Sequence, residues 1–509
     1  MVSPSHRTLV DLVQDAARVN PRGIATVFED ERVTWAAFAD RVARVAGALR
    51  AMGVEPGDRV ALLAANIPQN VEFTCAALWA GAIIVPLNTR LAVPELVWIY
   101  NNSEASLFAF DRRLTPQAQR IIAEVGVAKT IDLEGAGEGS LAALRRHDPV
   151  APAPHELASI TYTGGTTGLP KGVMITAAAY AIQAETLVKT LGYGPDSVYL
   201  HAMPLFHVAG AVHMYGAIHA AATHVFLPDF DPATLLAKIR DEGITELGLV
   251  PTGFAAMLDA PSLGDAPLSK VRNAMYGAAP ITQTLLRRLM AALPTARFQQ
   301  FYGQTETSGP CLGLTHEWHA LEGDKAGKLA SAGRACSGFE IRIVDGDGNE
   351  CARGEAGEIV ARGPALMAGY WRNPALTRET IRDGWLHTGD VGVMDEDGFV
   401  TVVDRLKDMI VTGGENVYSS EVESAIASHP AVAACAVVGV PDERWGEAVV
   451  AFVVPRAGAA VTGEGVIAHC RGKIAGYKIP RSVIVREQPL PLSGVGKVQK
   501  NLLRAELQR

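Results

Sequence analysis

The chain has 509 residues, 48% apolar and 20% charged, with a formal net charge of −8. That length exceeds a single hydrophobic core and predicts roughly three domain-sized units of ordinary globular composition. The negative charge argues against a nucleic-acid binder, whose contact surface is basic, and leaves room for a local basic patch that takes a small polyanion.

The N-terminal stretch MVSPSHRTLVDLVQDAA has no basic segment followed by an apolar one, so no secretory signal is expected there. TWAAFADRVARVAGALRAMG then sets Trp35, Phe38, Val42, Val45, Leu49 and Met52 on one helical stripe. Thr34 opens this helix and Gly53 closes it. DRVALLAANI reads as a buried strand, NVEFTCAALWAG as a helix and AIIVPLN as the next strand. The alternation predicts α/β layers with largely parallel sheets. The most apolar run, Cys75 to Leu87, is too short to span a bilayer and is broken by Gly81 and Pro86.

The six cysteines (75, 311, 336, 351, 435 and 470) form no C-x-x-C pair. Neither a zinc site nor a disulfide framework is expected, and reduced thiols point to a cytoplasmic location. Histidines 201, 207, 213, 219 and 224 are spaced so that neighbours fall on different helix faces, which fits no zinc pattern.

From about Gly338 the texture turns β-rich. FEIRIVD, GEIVARG, FVTVVDR and MIVTGG alternate with turn signals such as DGDGNE and DEDG, and antiparallel pairing is expected. A last segment begins near Lys407. Ser420 and Glu423 have capping-box spacing and are expected to open the helix EVESAIASHP. The strands AACAVVGV, AVVAFVVP and SVIVRE complete a small α+β domain.

The densest local signal is TYTGGTTGLPKG, residues 161–172. It lies between two strand-like runs, SITYT and GVMIT, with a helix only after Ala177. A Walker loop would place its phosphates on a helix N-terminus and would follow Lys171 with Ser or Thr, whereas Gly172 stands there. Anion binding must therefore come from backbone amides freed by glycines, from threonine hydroxyls and from Lys171. A merely flexible glycine turn leaves the hydroxyls and the lysine unexplained.

This stretch resembles the signature of the AMP-forming acyl-CoA synthetases, an adenylating superfamily that includes luciferases and peptide-synthetase adenylation domains. Six further stretches match the family's motifs in order: MPLFHVAG (203–210), YGAAP (276–280), YGQTE (302–306), GWLHTGD (384–390), DRLKDMIVTGGENVY (404–418) and PLSGVGKVQK (491–500). The resemblance runs from about residue 25 to the end. It implies a large N-terminal α/β domain (1–404) of sheet subdomains, with a barrel-like β-rich subdomain at 338–404. A hinge at 405–408 and a small mobile α+β domain at 409–509 would follow.

The resemblance also implies ATP, Mg²⁺ and coenzyme A. Thr163, Gly164, Gly165, Thr166, Thr167, Gly168 and Lys171 would wrap the β- and γ-phosphates. Gly277, Ala278, Ala279 and Pro280 would pack their backbone against adenine and the acyl group. Tyr302, Gly303, Gln304, Thr305 and Glu306 would follow, with Tyr302 on adenine, Thr305 on the α-phosphate and Glu306 on Mg²⁺. Asp390 would accept the ribose hydroxyls and Arg405 would reach the ribose–phosphate. Lys497 would bridge carboxylate and α-phosphate during adenylation. Together Lys497, Glu306, Thr163 and Lys171 are the expected catalytic set, and Lys407 is the hinge. Gly413 and Gly414 would admit the pantetheine arm of CoA, with Trp445, Tyr477 and Arg481 on the rest of it.

His207, Val208, Gly210, Ala278, Ala279 and Gly303 would line the acyl pocket. Their apolar or small character points to a hydrophobic acid, taken first as a medium- or long-chain fatty acid. An aryl or cinnamic acid is the alternative, with luciferase-like and amino-acid-adenylating enzymes further behind. No Asp is evident for an amino group, and VPTGFAAML (250–258) offers no cation for a second carboxylate. No carrier domain is expected after Lys497, and ELQR is no peroxisomal address. A non-catalytic regulator should have lost Lys497 or Glu306, and both are present. A homodimer is compatible with the sequence.

Overall fold

The computed structural model describes residues 8–153, 156–164, 169–279, 281–412, 415–442, 444–492 and 498–507. The chain divides into two units, one running to Ile341 with Ala361–Leu386, the other Arg342–Val360 with His387 onward.

Among the described residues the first unit holds two large sheets. One is seven-stranded, in the order Gly369–Tyr370, Lys171–Thr176, Leu157–Thr163, Ile83–Pro86, Arg59–Leu63, Leu107–Phe110, Thr130–Asp132. The other is nine-stranded, in the order Arg334–Ala335, Gly309–Leu314, Arg297–Gln304, Asn273–Gly277, Glu246–Leu249, Val198–His201, Thr223–Phe226, Ile24–Phe28, Glu31–Thr34. From Arg297–Gln304 across to Ile24–Phe28 every neighbouring pair is parallel, as the strand–helix alternation requires.

Helix Trp35–Ala51 begins where the sequence places it, with the Thr34 hydroxyl accepting from Ala37 N–H and Gly53 following at φ +80°. Helix Pro68–Trp79 buries every residue but Gln69, and most of helix Val208–His219 is buried too. Helices apolar on all sides belong to an interior layer. The Glu72 carboxylate on the first of them is 2.5 Å from the Arg145 guanidinium, so its buried charge is paired. Separate cores fill the outer faces. Leu235, Leu236, Phe254, Leu286 and Leu289 pack under the nine-stranded sheet, and Leu96, Ile99, Tyr100 and Ile121 under the seven-stranded one.

The β-rich region supplies strands Glu340–Val344, Ala356–Arg362, Trp385–Met394 and Val400–Arg405, and the unit boundary falls within it. The last two pair antiparallel. In the second unit, strands Glu415–Val417, Ile410–Thr412, Gly446–Pro455, Val432–Asp442 and Ser482–Val485 form a sheet that packs helices Ser419–Ala427 and Gly463–Cys470 around Val422, Ile426 and Val466. No described helix is long and apolar enough to cross a membrane.

One local expectation fails. Helix Ser419–Ala427 begins after Tyr418 without a side-chain cap of its own, so the Ser420–Glu423 box does not form. The Asp404 carboxylate takes its place. It accepts from Ser419 N–H, from Ser419 Oγ at 2.8 Å and from Ser420 N–H at 3.4 Å. An anionic acceptor outcompetes a neutral serine for helix N-terminal donors. Glu423, released from capping, pairs with Lys500 at 2.7 Å.

Candidate active site

The predicted phosphate loop joins two antiparallel strands, Leu157–Thr163 and Lys171–Thr176, in the strand–loop–strand order the sequence implies. Thr163 is the register partner of Lys171, and Tyr162 that of Gly172. Gly164 points into open space, while Gly165, Thr166, Thr167 and Gly168 lie outside the described residues. The short strand Gly369–Tyr370 lies against Lys171–Thr176, setting Tyr370 opposite Val173. The Lys171 ammonium sits 5.6 Å from the centroid of the Tyr370 ring, within cation–π range.

Strand Arg297–Gln304 brings in the second half of the site. It runs into the turn Thr305–Thr307, with Thr305 buried. Glu306 is held at both ends, its carbonyl accepting from Met367 N–H at 2.9 Å and its Oε1 accepting from the Tyr370 hydroxyl at 2.8 Å. Burial, and then the Glu306 carboxylate itself, push the Tyr370 phenol well above its usual value, so it remains a donor at neutral pH. Lys171 and Glu306, far apart in sequence, thus meet at one aromatic ring. Tyr370 is absent from the sequence-predicted set. Its only signal is the short aromatic run GYW, which by itself names no partner.

The turn is fixed from behind. The buried Gln183 amide donates to Thr307 O at 3.0 Å and Pro310 O at 3.2 Å, and Gln304 N–H donates to Thr307 Oγ1 at 2.8 Å. Gly303 is obligatory here, because a Cβ would meet Gly309 O at 2.1 Å. The same holds for Gly210, where a Cβ would meet Pro204 O at 2.1 Å. Both glycines serve close backbone approach.

Gly277 pairs in register with Phe301, so YGAAP and YGQTE end side by side at the C-terminal edge of neighbouring parallel strands. Ligands bind at that edge in open α/β sheets. Ala278 there takes φ +63°, a left-handed conformation that costs a residue with a Cβ about 1–2 kcal/mol. Ala279 is exposed, and Pro280 lies outside the described residues. His207 caps helix Val208–His219, its Nδ1 accepting from Ala209 N–H at 3.3 Å, and Val208 is buried.

Behind His207 the helix covers an aromatic wall. His213 stacks on Tyr199 at 5.4 Å and meets Phe301 edge-on at 6.3 Å. Its Nδ1 lies 3.3 Å from the Tyr193 hydroxyl. Burial lowers the His213 pKa to about 4, keeping the ring neutral. His201 and His224, unrelated by sequence spacing, face each other across adjacent strands with Nε2 and Nδ1 2.8 Å apart.

The remaining predicted residues belong to the second unit. Asp390 and Arg405 are cross-strand partners joined by a 2.8 Å ion pair, the carboxylate buried and the guanidinium half-exposed. Lys407 is exposed on the turn Leu406–Asp408, where Asp408 is tied to Arg504 at 2.9 Å. Arg481 stacks over Trp445 at 4.4 Å, with Arg444 also 4.8 Å from that ring, and Tyr477 is exposed nearby in the chain. Gly413, Gly414 and Lys497 lie outside the described residues.

Residues 13–371 match the family described as AMP-binding enzyme, and residues 421–497 its C-terminal domain. A feruloyl-CoA synthase of Amycolatopsis sp is 38% identical over 490 residues, covering 96% of each chain. The long-chain-fatty-acid–CoA ligase FadD13 of Mycobacterium tuberculosis is 34% identical over 505 residues, covering 97% of each. The crystal structure of ATP-bound MatB from Rhodopseudomonas palustris matches with a TM-score of 0.87 at 32% identity, covering 98% of this chain and 99% of that one.

Proposed function

The chain belongs to the AMP-binding enzyme family, the AMP-forming acyl-CoA synthetases, and from that premise we propose that its substrate is an aromatic carboxylic acid. The enzyme is an adenylate-forming acid–CoA ligase. A carboxylate oxygen attacks the α-phosphorus of ATP, the bond to the β-phosphate oxygen breaks, and pyrophosphate leaves. The CoA thiol then attacks the acyl carbonyl, losing its proton, and AMP departs. Both steps redistribute negative charge, so positioning and electrostatic stabilisation dominate.

The observation that carries this assignment of the site is the meeting of Lys171 and Glu306 at Tyr370. Lys171 and Thr163, paired at the hairpin mouth, hold the departing phosphates. Among the described residues no group of three or more His, Cys, Asp or Glu side chains could hold a metal. The donor set fits magnesium, which takes few protein ligands beside phosphate oxygens, through the carboxylate of Glu306. When bound, the ion would offset phosphate charge. Tyr370 orients the carboxylate, Thr305 faces the α-phosphate, and Lys497 neutralises the charge building between carboxylate and α-phosphate. Asp390, buried and paired with Arg405, is the proposed acceptor for the ribose hydroxyls, and Lys407 is the proposed hinge.

The aromatic wall of Tyr199, His213 and Phe301 favours an aryl acid, because flat rings pack on rings in offset or edge-on geometry. The fatty-acid reading draws on the 34% identity to FadD13. Pyrophosphate release measured with benzoate, cinnamates, decanoate and palmitate, with and without CoA, tests both. Turnover of fatty acids alone would overturn the aryl reading, and no turnover with any acid would overturn the substrate range proposed for the site.

A further inference from the structure

We propose that Tyr199 selects acids carrying a hydroxyl at the end remote from the carboxylate, and that Met203 and Met275 swing aside to admit it. This rests on the aryl-acid reading above.

The Tyr199 hydroxyl is buried with no hydrogen-bond partner among the described residues, and so are both amide atoms of Gln299. Buried polar groups in folded proteins are paired, so unpaired ones in one sheet call for an explanation. Gln299 is the register partner of Met275, and Met275 that of Gly248, which places these positions in one row across three parallel strands. The row faces helix Val208–His219. Tyr193 joins the two, its hydroxyl lying 3.3 Å from His213 Nδ1 and 3.7 Å from Met275 Sδ.

What closes the space over Gly248 is soft. A Cβ at Gly248 would lie 2.9 Å from Met203 Cε, 3.2 Å from the Tyr199 hydroxyl and 3.5 Å from Met275 Cε. Two of these three neighbours are tips of methionines, unbranched side chains that repack readily. The Tyr199 hydroxyl therefore stands beside a methionine-filled gap above a glycine.

The depth agrees. His207 opens helix Val208–His219 at the strand ends, and His213 on Tyr199 is six residues further, roughly 9 Å down the helix axis. That is the reach of a propenoate arm plus one ring. An acid whose carboxylate reacts near Ala279 and Thr305 would bring a ring substituent to Tyr199. A hydroxyl there satisfies the orphaned phenol.

The test compares 4-hydroxycinnamate with cinnamate, by kcat/KM for pyrophosphate release, in wild type and Tyr199→Phe. The wild type is expected to favour the hydroxylated acid. Tyr199→Phe should lower kcat/KM for that acid by about tenfold or more while leaving cinnamate within about threefold. A merely structural role would move both acids together, and equal effects on the two, or no effect on either, would overturn the proposal while leaving the aryl reading standing. Turnover of decanoate with neither aryl acid would overturn the aryl reading and this proposal with it. Gly248→Val gives an independent check. It should spare benzoate, which is too short to reach Tyr199, and cost both cinnamates about tenfold or more. An equal loss on all three acids would count against a pocket over Gly248.

Discussion

Tyr370→Phe removes one oxygen from the site and leaves the ring under Lys171 in place. The lost hydroxyl donates to Glu306 Oε1 at 2.8 Å, and the ring around it is buried. A hydrogen bond to a charged acceptor contributes about 1.5–3 kcal/mol, corresponding to roughly a 10- to 150-fold effect if it matters fully in the transition state. The loss should fall on adenylation, the half-reaction in which the proposed function places Glu306. Thioester formation from supplied acyl-adenylate does not use that carboxylate and should stay within about twofold. The assay is pyrophosphate release against thioester formation, each with purified variant. A loss shared equally by both half-reactions would mean Tyr370 supports the fold and not Glu306. Adenylation within twofold of wild type would mean the carboxylate is oriented by something else.

Other outcomes follow from the same geometry. Lys497→Ala should abolish acyl-adenylate formation and spare thioester formation from supplied adenylate, with equal loss in both halves refuting its assignment. Asp404→Ala strips the cap from helix Ser419–Ala427 and should cost about 2 kcal/mol in the second unit, read as a lower Tm; Asp404→Asn should recover part of it. Stability should also fall with acid. His213 stays neutral when folded, with a pKa of about 4 against 6.5 when unfolded, so between those values only the unfolded chain takes the proton. Tm should therefore drop as pH falls from about 6.5 to 4, and His213→Gln should flatten that part of the profile. A variant profile identical to wild type would exclude His213 as a contributor.

Much of the fold was legible locally. The stripe from Trp35 to Leu49, the strand-like run into Thr163 and the absence of a helix after Lys171 are short-range patterns, and strands and helices follow them. Where a local pattern misled, a distant group had intervened. The Ser420–Glu423 spacing was sound, yet a carboxylate from the end of strand Val400–Arg405 reached the same donors first.

By itself the sequence determined the order of motifs, the hairpin that carries Lys171, and the class of chemistry. Spacing and residue type suffice for those, because a glycine-rich turn between strands is a local object. Only the tertiary structure decided which side chains converge. Tyr370 joins Lys171 to Glu306 because its two-residue strand pairs at the edge of a sheet, a contact no periodicity encodes. Gly248, Met275 and Gln299 share one row because parallel strands came into register, and Tyr199, paired with Glu246, reaches over Gly248 from the next strand. Register depends on the packing of the whole sheet, and it is register that aligns these three positions.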